Sequence, residues 1–427
     1  MLGITSKRRI SLFSASMTVV SHFSSLSPMT PSQDLLFDVP PSIPIKIKRA
    51  KKPKIGRYEA VRRKLENDTT DPSKVFVDFS DVQQPNNGFN FIDLFCGTGG
   101  ITCGLSLAGF TPKAAVEIVD IACDTHHRNF PDCKLHRGPI EEFSPKSVLG
   151  SDLKEIHIVS GGPPCQGFSI AGFRDPKDAR NQLFREFIRV VAEVKPWYVV
   201  MENVPGILTL DNGSFYSEII QAYKNIGYTV SVAVLEAADF GVPQLRARAI
   251  FIANRFGWAN PFPKAKLSPA NYRPIESGLG GLSPDKPDPE INHEWTRHSA
   301  KMIERISRVP PGGSLYETFF DAWKRQYPGV PSMTIKENHG GTHIHPHLNR
   351  VLSAREMARL QTFPDDFLFC GPMKKAMWQI GNAVPPRLSE VIGKTLLPSL
   401  RAIRAGEVDP YREAARQRQL LNESVVC

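Results

Sequence analysis

The chain has 427 residues, 41% hydrophobic and 22% charged, with 53 Lys+Arg against 43 Asp+Glu. Those figures suit a globular chain of roughly two to three domains with a large core. They exclude a collagen, a wholly disordered chain and a polytopic membrane protein, since no uncharged apolar run approaches ~18 residues.

The formal charge of +10 is unevenly spread: residues 1–67 hold 13 basic and four acidic side chains, and the other 360 residues carry only +1. A basic arm on a nearly neutral body suits a polyanionic partner such as nucleic acid. Up to Met29 the arm is Ser/Thr-rich, lacks acids and places Lys7-Arg8-Arg9 before a modest apolar stretch. That pattern suits a transit peptide or a poor signal peptide. Ser and His interrupt the apolar stretch, however, which favours a disordered tail or a start at Met17 or Met29 over targeting by residues 1–29. Residues 1–85 are expected to be a disordered arm with one short helix near 57–66. Its basic run, 46–64, either touches nucleic-acid phosphates or is simply solvated.

Phe89 to Phe95 is a β-prone apolar run, followed by Cys96-Gly97-Thr98-Gly99-Gly100 and an apolar helical stretch, Ile101 to Leu107. A strand, a glycine turn and a helix N-terminus form a nucleotide-type cofactor site. The next strand, Ala114 to Val116, ends in Glu117, whose carboxylate can bond both hydroxyls of a ribose. A dehydrogenase fingerprint would need glycine where Thr102 stands.

A further buried strand, Ile156 to Ser160, runs into Gly161-Gly162-Pro163-Pro164-Cys165-Gln166-Gly167-Phe168-Ser169. Free Cys is usually a small core hydrophobe. Cys165 instead sits at a strand end behind a rigid Pro-Pro pair, a setting that presents its side chain to a ligand. Trp197 to Met201 is another strand, ending in Glu202-Asn203-Val204-Pro205. Parallel strands deliver their C-terminal ends to one crevice, so the glycine turn, Cys165 and Glu202 converge there. The seven cysteines form no C-x-x-C pair and are odd in number, which argues against a disulfide framework or zinc site and for a reducing compartment.

With these residues the chain resembles the cytosine-5 DNA methyltransferases of the bacterial restriction–modification type, over about residues 89 to 400. Six motifs stand in the family's order: Phe91 to Gly100, Gly162 to Ser169, Glu202-Asn-Val204, Gln244-Leu-Arg-Ala-Arg248, Arg355-Glu-Met-Ala-Arg-Leu-Gln361 and Gly381-Asn-Ala-Val-Pro-Pro386. The resemblance implies a doubly wound, Rossmann-like α/β fold with a mostly parallel sheet, the S-adenosylmethionine-dependent methyltransferase fold, and a smaller loop-rich target-recognition domain. It makes Cys165 the nucleophile, Glu202 the group holding N3 and the exocyclic amine of the target cytosine, and Arg248 a partner near its O2. It places Phe95, Gly97, Gly99, Glu117 and Asn382 around S-adenosylmethionine, with no metal. It makes Gln166 to Leu183, with Gln166, Ser169, Asp178 and Arg180, the mobile loop that closes over DNA. Two family features are missing: Gly138-Pro139 replaces a Gly-Asp pair, and Val119 stands where a second acid is common. Asp120, Glu141 or a backbone carbonyl would then hold the adenine.

Such chemistry needs these residue types. Thiolate addition to C6 makes C5 nucleophilic. The charge that builds on the N3/O2 edge is met by a carboxyl and a guanidinium, and the base must leave the stack.

From 254 to 334 no motif appears, and 11 of the 36 prolines fall there, so loops and short strands are expected. Arg273, Arg297, His298, Arg305 and Arg308 are candidate DNA contacts. His339, His343, His345 and His347 suggest a metal, but Gly340, Gly341 and Pro346 favour a loop whose histidines face DNA or solvent. The division expected is an arm (1–85), a catalytic domain (86–254 and 336–403, closing with a helix from Leu388 to Ile403 beside the glycine turn), a target-recognition domain (255–335) and a tail (404–427), a frayed helix.

The expected enzyme is a monomer acting on double-stranded DNA in the cytoplasm, at the nucleoid, with no membrane partner and a cognate restriction endonuclease as functional partner. A transfer RNA methyltransferase of the same fold, which normally carries Cys-Phe-Thr where Cys370 is followed here by Gly371, and a non-catalytic DNA-binding relative are the alternatives.

Overall fold

The computed structural model describes residues 58–68, 70–83, 85–164, 182–316, 323–336 and 343–426. From the N-terminus, α1 (Glu59–Glu66) and β1 (Lys74–Val77) lead to β2 (Asn90–Leu94), α2 (Gly100–Leu107), β3 (Thr111–Glu117), α3 (Asp120–Asn129), β4 (Lys134–Arg137), α4 (Pro145–Leu149) and β5 (Ile156–Gly161). Next come α5 (Gln182–Val194), β6 (Tyr198–Asn203), α6 (Ser214–Asn225), β7 (Thr229–Glu236), β8 (Ala247–Asn254) and β9 (Asn260–Pro263). The remaining elements are α7 (Glu276–Leu279), α8 (Ala300–Ser307), β10 (Lys324–Arg325), β11 (His343–Ile344), α9 (Ala354–Leu360), α10 (Met373–Asn382), α11 (Pro386–Ala405) and α12 (Arg412–Val426).

Seven strands make one sheet in the order β4-β3-β2-β5-β6-β8-β7, parallel except for β8, which runs antiparallel to β6 and β7. Both faces are buried, so the strands read as continuous apolar runs whose successive residues enter opposite layers. Ile92, Val159, Val199 and Met201 join Phe187, Val191, Ile219 and Tyr223 from α5 and α6. Phe91, Ile158, Tyr198 and Val200 join Leu105 of α2 with Leu388, Val391 and Leu396 of α11. The doubly wound fold expected from the sequence is the one observed. Strand order reverses between β2 and β5, which opens a crevice at their C-terminal ends.

Helix α11 brings the C-terminal motif back to the first turn. Its contact with α2 is close enough that a Cβ on Gly104 would lie 2.2 Å from the Pro386 carbonyl oxygen and 2.5 Å from Ser389 Cβ.

The arm expected up to residue 85 ends earlier. Helix α1 lies against the body through Arg62, and β1 pairs in parallel with β9 in the register Lys74↔Asn260 to Val77↔Pro263. The tail is also docked: Tyr411 and Ala415 pack on Val75, Val77 and Ala259, and Arg418 Nη2 donates to the Glu66 and Asp68 carbonyls at 2.7 and 2.6 Å. A short charged helix and a four-residue strand carry too little apolar pattern to reveal this docking from sequence. In the proline-rich stretch, Ile306, Val309, Leu315 and Ile344 form a small core of their own, which reaches past the boundary expected at 335. Among the described residues, no helix is long and apolar enough to cross a membrane.

Gly104→Ala is expected to force α2 from α11 and to cost about 1–3 kcal/mol. Chemical denaturation should register the loss, and wild-type stability would contradict the packing described.

Candidate active site

At the end of β2 the backbone turns sharply, with φ of +55° at Phe95, +53° at Gly97 and +98° at Gly99. Nothing lies within 4 Å of where a Cβ on Gly97 would stand, so the turn is open at that residue, while a Cβ on Gly99 would lie 2.8 Å from the Phe130 ring. Glu117, at the end of β3, braces it: Oε2 accepts the Gly97 N–H and Oε1 the Val119 N–H, both at 2.8 Å. Burial raises the Glu117 pKa, and these two amide bonds oppose the rise. Thr98 is buried beside it with its Oγ1 unpartnered. Asn382, exposed at the end of α10, bonds only its own helix, through Nδ2 to the Trp378 carbonyl at 3.2 Å. The following Ala383 and Val384 abut Gly100. An open glycine cradle, an orphan hydroxyl and a carboxylate with spare lone pairs fit an adenosine-bearing cofactor.

Where the family's acids are missing, Pro139 O lies 3.2 Å from His136 Nε2, while Asp120 and Glu141 are exposed. Ile118, next to Glu117, is 64% exposed, an apolar surface that the sequence reading overlooked.

Beneath the turn Asp93 is fully buried. Its Oδ1 accepts from Ser160 Oγ at 3.0 Å and its Oδ2 from Thr102 Oγ1 at 2.7 Å, and Thr102 Oγ1 lies 3.2 Å from His126 Nε2. This network joins β2, β5, α2 and α3. Burial pushes the Asp93 pKa up to about 6 and the His126 pKa down to about 4. Burial also raises the thiols of Cys103 and Cys133 to about 12 and of Cys123 to about 11.

On the other side of the crevice β5 pairs with β6 up to Gly161↔Met201, which sets the Gly162-Pro163-Pro164 segment beside Glu202. Asn203 Nδ2 donates to the Pro163 carbonyl at 3.1 Å. A Cβ on Gly162 would lie 3.1 Å from Glu202 Oε2, a tight contact that would press on the carboxylate. Glu202 Oε1 meets Arg248 Nε at 2.6 Å, with the side chains 13% and 11% exposed. Arg246, pointing elsewhere, donates to the Ile335, Gly381 and Ala383 carbonyls at 2.8–3.0 Å. Gln244 Nε2 donates to Gln361 Oε1 at 2.9 Å, and Gln361 Nε2 to the Ile380 carbonyl at 2.8 Å. Motifs distant in the chain are thus clamped into one frame. Asn203 and Arg246 lay inside the six motifs, and Asp93 stood out as an acid in an apolar strand; none was singled out from the sequence. Cys165, Gln166, Ser169, Asp178 and Arg180 lie outside the described residues.

The histidines depart from expectation. His343 and His345 are buried, and burial pulls both pKa values to about 4. His345 Nδ1 accepts from the His347 and Leu348 N–H groups, and His347 Nε2 lies 2.9 Å from Glu276. His339 falls outside the described residues. Among the described residues, no cluster of His, Cys, Asp and Glu is arranged to hold a metal. Of the arginines and histidine named for DNA, Arg273 and Arg297 are exposed, Arg305 stacks on Tyr316, Arg308 pairs with Glu304 and His298 packs on Trp323.

The sheet order and the glycine turn are those of the S-adenosylmethionine-dependent methyltransferase fold. The chain matches the C-5 cytosine-specific DNA methylase family over residues 89–397 and belongs to it, as a DNA cytosine-5 methyltransferase of the restriction–modification type. It is 39% identical over 325 residues to the type II methyltransferase M1.HphI of Haemophilus parahaemolyticus, covering 72% of this chain and 86% of that one. It is 32% identical over 368 residues to M.DdeI of Desulfomicrobium norvegicum, covering 72% and 88%. The crystal structure of a DNA modification methyltransferase encoded within an Escherichia coli prophage aligns with a TM-score of 0.62 at 28% identity, covering 73% of this chain and 99% of that one.

Because the folded form binds the Asp93 proton more tightly than the unfolded form does, this group's contribution is full below pH ~4 and is lost as pH rises through about 6. Asp93→Asn is therefore expected to gain on the wild type across that window, by up to roughly 3 kcal/mol. Parallel stability–pH curves for the two proteins would refute it.

Proposed function

We propose that the enzyme extrudes a cytosine from a short duplex site into the crevice between β2, β5 and β6, and methylates C5 through a covalent bond from Cys165 Sγ to C6. The observation that carries this reading is the Glu202–Arg248 pair, held beside the exit of β5, whose last residue, Gly161, stands four residues before Cys165.

As the Cys165 thiolate forms its bond to C6, the ring electrons shift toward C5 and N3. Glu202 relays a proton to N3 and accepts from the exocyclic amine, and Arg248 balances charge at O2. S-adenosylmethionine supplies, when bound, an electrophilic methyl group to C5. Water takes the C5 proton, whose electron pair returns to the ring as the Cys165–C6 bond breaks with its pair leaving on sulfur, and the N3 proton goes back to Glu202. Phe95, Gly97, Gly99, Glu117 and Asn382 hold the cofactor, with Ile118 offering an apolar surface to the adenine. Gln166, Ser169 and Arg180 bear on the DNA.

The catalytic domain comprises 86–254 and 336–403. Residues 255–335 read the target, and the small core around Ile306 in this segment also takes in Ile344. The enzyme acts as a monomer in the nucleoid, protecting DNA from a cognate endonuclease.

Cys165→Ser is expected to abolish methyl transfer and covalent trapping on 5-fluorocytosine DNA, and Glu202→Gln to slow transfer by about 10²–10⁴-fold. Wild-type rates in Cys165→Ser would end the covalent reading. If the basic arm neutralises phosphates, removing residues 1–57 should flatten the salt dependence of DNA affinity, by about 0.9 in log–log slope for each phosphate the arm had neutralised. An unchanged slope would leave the arm merely solvated.

A further inference from the structure

We infer that residues 58–68 and 70–82, which precede the region shared with the family, act as a strap that positions Arg248 by gripping the turn at the end of β7. The inference rests on the role proposed for Arg248. Three residues of this segment converge on two consecutive turn residues, Asp239 and Phe240. Arg62 Nη1 lies 2.7 Å from Asp239 Oδ2. The Phe79 and Phe240 rings pack with centroids 6.2 Å apart. Asp81 pairs with Arg387, whose Nε donates to the Phe240 carbonyl at 3.1 Å. Asp81 also holds Lys266 Nζ at 2.6 Å, over the Phe79 ring, while the Lys266 N–H donates to the Asp239 carbonyl at 3.1 Å. Glu66 orients Arg62 through its Nε at 2.8 Å, and the β1–β9 pairing anchors the strand between the two grips.

What the strap holds is the connection between β7 and β8. Glu236 Oε1 accepts the Arg246 N–H at 2.5 Å, and the Ala237 N–H donates to the Arg246 carbonyl at 3.1 Å. Leu235 and Arg248 are register partners across the two strands. A shift of the turn therefore carries Arg246 and Arg248 with it, and Arg248 has to meet Glu202 at 2.6 Å. Asp239 is buried, and its remaining side-chain partner is the Tyr272 hydroxyl, at 2.5 Å from Oδ1. Without Arg62 a buried carboxylate would lose its cation, a change large enough to open the turn or protonate the acid. Arg62, Phe79 and Asp81 are positioning residues, since none touches the reacting atoms.

The test compares single-turnover methyl transfer, S-adenosylmethionine affinity and DNA affinity for the full chain carrying Arg62→Ala, Arg62→Lys, Asp81→Ala or Arg248→Ala. Arg62→Ala and Asp81→Ala are each expected to slow transfer by about tenfold, with both affinities unchanged, and Arg62→Lys to recover most of the rate. A rate within twofold of wild type in Arg62→Ala and Asp81→Ala overturns the strap. So does a loss that falls equally on cofactor affinity or that Arg62→Lys does not recover. If Arg248→Ala is itself as active as wild type, the proposed role of Arg248 fails instead.

Discussion

A carboxylate and a guanidinium share a largely enclosed site at the end of β6, and much of the surrounding architecture is what keeps that pair in place. Two largely desolvated charges gain from each other only when their geometry is good and neighbouring groups are satisfied. Here the geometry comes from β8 running antiparallel beside β6, which sets Glu202 opposite Ile250 and leaves Arg248 two residues away on the same strand. A parallel strand in that place would begin at the far edge of the sheet, so its second residue, the position Arg248 holds in β8, would lie away from the crevice. Arg246, immediately before β8, donates to carbonyls of the C-terminal motif, so one short stretch serves both the reacting edge and the scaffold.

The second half of the pocket depends on close packing rather than charge. Gly104 lets α11 approach α2 until backbone touches side chain, and only at that distance does the Gly381–Pro386 motif reach the first glycine turn. The cofactor cradle is thereby built from opposite ends of the chain, which explains why its motifs are separated by nearly the whole family region.

Much of this was legible beforehand. Strands β2, β5 and β6 lie between helical layers, so they read as unbroken apolar runs, and the residues that punctuate them, Gly97, Pro163 and Glu202, mark the site. The β7–β8 pair was not foreseen, although it carries Arg248, because nothing in an arginine's own sequence neighbourhood names a partner on another strand. The buried His343 and His345 were misread for the opposite reason: glycines and a proline around them suggested an exposed loop, whereas tertiary packing enclosed them. Asp93 shows a further limit, since an acid in an apolar strand signals a network without revealing that Ser160 and Thr102 complete it.

The buried cysteines have a practical side. With pKa values raised to about 11–12, Cys103, Cys123 and Cys133 exist as the reactive anion in only about one part in ten thousand or less near neutrality. Alkylating reagents should pass over them while the chain is folded. An electrophilic probe shaped like a pyrimidine would then meet little competition from these three, and part-exposed Cys370 is the described thiol left open to it.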